Sequence, residues 1–307
     1  MRRPKALRPG DRVAVVAPAS PFPREDFDRG VAELVALGFE PVFDQRVFAR
    51  DRYLAGDAVE RARALLEAWR DPSVAALIAA RGGYGSVQVL AHLPAGELAA
   101  APKLFVGASD LTAVQAFLGT LCGLVTIHGP MVAGQLGRGA YGYDRASFAA
   151  AVSAAGPACE LAADAVEALV HGEVRAPLFG GNLTQLAASL GTPWAFDPPE
   201  GCVLFLEDVG ERPYRVDRLF TQLRLAGILA RARALVFGEM PGCDEADGSI
   251  RCVDVVRDLV RGFPGPVLYG LPAGHTAGPA VTLPLGVKAR VLAGARQALV
   301  IEEAAVE

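Results

Sequence analysis

The segment KLFVGASDLTAVQAFLGTL passes from a short apolar run through Gly107, Ala108, Ser109 and Asp110 straight into a helical pattern. A serine at such a strand-to-helix turn projects its hydroxyl from the sheet edge, and the free amides of the next turn can stabilise an oxyanion. That is the chemistry of nucleophilic attack on a carbonyl. Ser109 and Asp110 fit a plain helix cap equally well, so the segment alone leaves both roles open. In CVLFLEDVGERPYRVDRLFTQL, period-2 alternation puts Val203, Phe205 and Glu207 on one face. Glu207 then sits at the carboxyl end of a buried strand, where ligands gather, with a solvated loop carboxylate as the competing reading. Glu211 and Asp217 read as exposed or helix-capping charges paired with local arginines.

Four histidines are present. His275 lies in GLPAGHTAGP, a turn rich in Gly and Pro after an apolar run, where a packing role is harder to argue than on a helix face. His92 and His171 read as surface residues, which leaves His128, in TIHGPM, as the rival base. No HxH or HExxH spacing and no carboxylate cluster occurs, so a zinc or di-metal site is not expected, nor any other cofactor. The segment Arg81-Gly82-Gly83-Tyr84-Gly85 follows an apolar run and precedes a helical one. Its glycines can bring backbone amides close to a ligand, or simply make a tight connection. It lacks the lysine and hydroxyl residue of a phosphate loop.

These residues need a scaffold. From residue 12 to about 130, short β-branched runs (RVAVVA, PVF, AALIAA, LFVG, LVTI) alternate with amphipathic stretches over 26–37, 57–70, 85–93 and 111–122. A parallel sheet covered by helices is written this way. Beyond about residue 175, APLFGGN, CVLFLED, ARALVFG and GPVLYG read as strands, with helices at NLTQLAASL, PYRVDRLFTQLRLAG and CVDVVRDLVRG, then short antiparallel strands. The fold class is therefore α/β. An N-terminal parallel-sheet domain (1–135) carries the nucleophile candidate, an Ala- and Gly-rich crossover (136–175) lacks a strong period, and a C-terminal α/β domain (176–307) has a mixed sheet.

Composition narrows the function. With 52% hydrophobic and 21% charged residues in 307, the chain can bury a full core. A formal charge of -4 and a pI near 5.7 give none of the basic excess that nucleic acid rewards. No uncharged stretch reaches the ~20 residues that span a bilayer, so neither nucleic acid nor membrane is expected as a partner. The start, MRRPKALRPGDRVAVVAPAS, holds an apolar run too short for a signal peptide, which points to the cytoplasm. Cys122, Cys159, Cys202, Cys243 and Cys252 are odd in number and form no CxxC pair, as reduced thiols would be.

Taken in order, LRPGDRVAVVAPAS, ARGGYGS, GASDLT, TIHGPM, FGGNLT, FLEDVGERPYRVDR and GLPAGHT resemble the LD-carboxypeptidase family, which includes murein tetrapeptide carboxypeptidases and microcin-immunity hydrolases. The likeness spans nearly the whole chain. It implies a serine hydrolase with a Ser-Glu-His triad, carried here by Ser109 in GASD, Glu207 in FLED and His275 in AGHT. It also implies an oxyanion hole from the backbone amides of Asp110 and of Gly82 or Gly83, and a homodimer. The substrate would be a small peptide or muropeptide, and Arg81 and Tyr84 beside the glycine turn are the candidates for holding it. Two other readings stand beside this one: hydrolysis of an amide in a peptidyl-nucleotide antibiotic, and a non-catalytic two-domain ligand-binding protein of similar build.

Overall fold

The structure is a computed structural model that describes residues 1–153, 159–162 and 165–307. Part of the expected crossover, 154–158 and 163–164, lies outside the described residues. In the first half, β1 (Arg12–Val16), β2 (Glu40–Val42), β3 (Val74–Ala79), β4 (Leu104–Gly107) and β5 (Thr126–His128) form a parallel set. The second sheet contains β6 (Cys159–Leu161), β7 (Glu167–Val170), β8 (Gly172–Asn182), β9 (Cys202–Glu207), β10 (Ala232–Gly238) and β11 (Val267–Leu271). Of the last strands, β12 (Leu283–Leu285) returns to pair antiparallel with β5, while β13 (Lys288–Ala293) and β14 (Gln297–Ile301) join the second sheet.

The sheet orders are β12-β5-β4-β3-β1-β2 and β6-β14-β13-β8-β9-β10-β11-β7. In the first, the chain crosses to one side after β1 and to the other after β2, so the switch point lies between β1 and β3, where open α/β sheets bind ligands. In the second, β8 to β11 are parallel and the flanking strands antiparallel, giving the expected mixed sheet.

One apolar cluster is shared by the two sheets, with Ile78 and Ile127 from the first and Phe205 and Val236 from the second. Helices close the outer faces. Arg61, Ala62, Leu65, Leu66 and Trp69 line the buried side of Ala58–Arg70, and Val216, Phe220 and Leu223 that of Pro213–Leu225. Each such large apolar side chain contributes about 1.5–3 kcal/mol by leaving water. Asp57 caps the first of these helices by accepting from Val59 N–H, and Pro213 opens the second without losing a hydrogen bond.

The aperiodic stretch before β8 has more structure than its pattern reveals. It holds the helix Arg145–Ser153 and both β6 and β7. Ser147, Phe148, Ala151 and Val152 face inward at helical spacing, but alanines on the remaining faces flatten the contrast on which periodicity depends.

Candidate active site

β4 ends at Gly107, and Ala108, in extended backbone, leads into a 3-10 turn over Ser109–Leu111. The turn holds Ser109 at φ 60, a left-handed conformation that costs a residue with a Cβ on the order of 1–3 kcal/mol and here directs the side chain off the sheet edge. The capping alternative fails on geometry. Neither this turn nor the helix Thr112–Ala116 has a side-chain cap, and Asp110 turns away so that Oδ2 accepts from Ser86 N–H at 2.8 Å. Gln115 secures the strand ends beneath, donating from Nε2 to the carbonyls of Gly107 (2.9 Å) and Ile127 (2.7 Å).

The glycine turn after β3 folds against the serine. A Cβ on Gly82 would stand 3.0 Å from Ser109 Cβ and 3.3 Å from Asp110 N, so any larger residue would have to push the serine turn back by a few tenths of an ångström. The turn is tied to the loop leaving β1: Ser20 N–H donates to Gly82 O at 3.2 Å, and Tyr84 N–H to Ser20 Oγ at 2.9 Å. Below them Arg61, almost fully buried, donates to Pro18 O (2.5 Å), Gly85 O (2.8 Å) and Gln88 Oε1 (2.6 Å). Nothing in the local pattern marks this pin, because an arginine in a charged helix reads as solvated.

The second sheet brings its own strand ends to the same place. Glu207 closes β9, is 0% exposed, and accepts at Oε2 from both Nδ1 (2.7 Å) and the backbone N–H (3.0 Å) of His275. Gly274, at φ +76, makes the approach possible, since a Cβ there would lie 2.6 Å from Glu207 Cδ. Burial disfavours charge on both partners, but their hydrogen bond and opposite charges outweigh it. Glu207 is held below its ordinary value and His275 above 6.5.

Arg81, Gly82, Gly83, Ser109, Val209, Gly274, His275 and Thr276 line one cleft of about 660 Å³, within the range of small-ligand sites. Glu207 lies behind His275. Exposed Arg81 donates from Nη1 to Pro21 O at 2.9 Å. Gln135, at the end of the N-terminal segment, and Arg138, from the crossover stretch, complete the wall and carried no sequence signal beyond their Gly-rich setting. Tyr84 is not among the lining residues; its exposed ring stands 5.9 Å from that of Tyr53. His128, the rival base, ends β5 at 0% exposure and does not reach the cleft lining, while His92 and His171 are exposed as expected. Among the described residues no group of three or more His, Cys, Asp or Glu could hold a metal ion, and no helix is long and apolar enough to cross a membrane.

Comparison with known proteins gives the family. A model of the LD-carboxypeptidase N-terminal domain matches residues 13–129, and one of the C-terminal domain matches 175–291. A putative carboxypeptidase of Streptomyces coelicolor is 40% identical over 297 residues, 94% of this chain and 93% of that protein. The muramoyltetrapeptide carboxypeptidase from Oxalobacter formigenes superposes with a TM-score of 0.82 at 34% identity, over 95% of this chain and 99% of that one. The wild-type microcin C7 self immunity protein superposes with a TM-score of 0.91 at 25% identity, over 100% of both chains. With both of its halves matched, the chain belongs to the LD-carboxypeptidase family, and is a carboxypeptidase and hydrolase by class.

Proposed function

We propose that Ser109, His275 and Glu207 act as a catalytic triad that releases C-terminal D-alanine from murein tetrapeptides in the cytoplasm. The observation that carries this is the Glu207–His275 hydrogen bond, 2.7 Å long, behind the cleft that a left-handed serine also lines. His275 takes the hydroxyl proton as Ser109 attacks the scissile carbonyl, and Glu207 holds the ring tautomer and stabilises the imidazolium. The tetrahedral oxyanion is received by the amides of Asp110 and of Gly82 or Gly83. Its collapse returns the proton to the leaving amine, so D-alanine departs and an acyl-serine remains. Water attacks that ester with His275 again as base, which restores the hydroxyl.

The substrate follows from relatives named for murein peptides, and Arg81 is the group we assign to the terminal carboxylate. The division at 1–135, 136–175 and 176–307, with the site between the domains, and the homodimer of the family belong to the same reading. A second reading is hydrolysis of an amide in a peptidyl-nucleotide antibiotic, favoured by the close superposition on the microcin C7 self immunity protein.

Matched tetrapeptides ending in D-alanine, L-alanine and amide-capped D-alanine separate the two. A pocket shaped for a free D-terminal residue should release alanine from the first alone. Equal cleavage of both epimers, or undiminished cleavage of the capped peptide, would defeat the carboxypeptidase substrate and favour the antibiotic amide.

A further inference from the structure

Behind the Glu207–His275 pair lies a group of buried polar atoms that the reaction does not use. Glu207 Oε2 carries both hydrogen bonds to His275, while Oε1, equally shielded from solvent, has no partner among the described residues. His128 has two partnerless ring nitrogens at 0% exposure. A buried imidazole and half of a buried carboxylate are among the most expensive groups to leave unpaired, and native proteins satisfy nearly all of them.

Topology puts the two together. His128 pairs with Gly107 across β4 and β5, two residues before Ser109. Its ring meets the ring of Phe205 edge-on at 5.4 Å, and Phe205 shares a face of β9 with Glu207. The imidazole therefore reaches from the first sheet onto the face of β9 that also carries Glu207. On its own side Gln115, bound to the carbonyls of Gly107 and Ile127, also leaves Oε1 buried without a partner among the described residues. Leu283 of β12 lies opposite His128, and Thr282 next to it also buries a hydroxyl without a partner. Burial pushes His128 down to about 4, against the pull of Glu207, so it is neutral at physiological pH with one N–H to donate and one nitrogen to accept.

We propose that His128 is a positioning residue for the active-site carboxylate, its single N–H linked to Oε1 of Glu207 through one buried water. This rests on the triad reading above. The bridge fixes the plane of the carboxylate, so that Oε2 keeps both contacts with His275, and it links the sheet of the nucleophile to the sheet of the base. His128 touches neither the substrate nor the reacting atoms.

A double-mutant cycle tests this on the full chain with the D-alanine tetrapeptide: His128→Phe, which fills the space without donating, in the parent and in Glu207→Gln. In the parent, kcat should fall roughly 10- to 100-fold with KM nearly unchanged, the factor expected when a buried charged acceptor loses its donor. In Glu207→Gln the same replacement should change kcat less than about threefold, because the carboxylate it served is gone. His128→Asn, which retains a donor, should recover part of the loss. An equal fall in both backgrounds would mean that His128 only packs, and an unchanged kcat in the parent would dismiss the proposal. If Glu207→Gln itself leaves kcat intact, the triad reading fails instead. Should His128→Phe not fold, His128→Leu, which also lacks a donor, takes its place in the cycle, with additive losses overturning the proposal and subadditive ones supporting it.

Discussion

At the edge of the first sheet, Ser109 is held by backbone: a left-handed turn, and a glycine packed so closely that a single Cβ would press on it. At the edge of the second sheet, Glu207 and His275 are held by side chains, with one buried oxygen taking two hydrogen bonds from the same residue. The contrast follows from what each must do. A nucleophile needs a direction, which backbone geometry supplies without any further group. A base needs a proton affinity, which comes from a charge kept out of water. The nucleophile side should therefore be sensitive to volume, and the base side to charge.

Removing the hydroxyl is the severest test of the first side. Ser109→Ala should keep the fold, because alanine relieves no packing, and lower kcat by roughly 10³ to 10⁶ while substrate still binds. Near-normal turnover by a folded variant would end the serine-hydrolase mechanism, since the four cysteines whose side chains are described are all buried.

Charge alone is altered by Glu207→Gln, for which we expect kcat to fall on the order of 10³ to 10⁴. Its pH profile sharpens the comparison. Glu207 raises the pKa of His275 above 6.5, and the base works only when neutral, so the parent rate should climb with pH through a midpoint above 6.5. In the glutamine variant the largest raising charge is gone and burial remains, so the midpoint should fall. The sign for stability is opposite. The protonated His275 stabilises the fold at low pH, and that contribution is lost as pH rises through the raised pKa.

Volume alone is altered by Gly82→Ala. Its methyl would press on Ser109 and shift it by a few tenths of an ångström, so kcat should fall on the order of tenfold, with no shift in the pH midpoint. A shifted midpoint with unchanged kcat would reverse the assignment of volume and charge to the two sides.

The same division explains what could be read from the sequence. Ser109, Glu207 and the strands that end beside them were legible because apolar runs terminate at those residues, and the glycine turn was legible as glycines. Helix positions written by amphipathic contrast also stand within a few residues of the structure; the helix over 24–36 was expected at 26–37. What remained hidden depends on segments distant in the chain. Arg61 gains its role only when the loops after β1 and β3 fold over it. His128 was a rival base on paper because nothing local says that β12 will return from residue 283 and help bury it. Tyr84, expected at the substrate, turns outward beside Tyr53, whose proximity depends on a separate loop.

The smallest effect concerns binding. Arg81→Ala should raise KM by about tenfold with little change in kcat, as loss of one charge-assisted contact to a terminal carboxylate would. If Arg138→Ala does this instead, the anion is held from the opposite wall, where Arg138 is exposed.

The central claim is that the two edges form one catalytic unit, and the kcat of the Ser109→Ala/His275→Ala double variant beside both single variants tests it most directly. Groups that act as a unit are lost only once, so the double variant should turn over D-alanine tetrapeptide no more slowly than Ser109→Ala alone. Losses that multiply, with the double variant slower by the product of the two single factors, would show that serine and histidine act independently and would contradict the account.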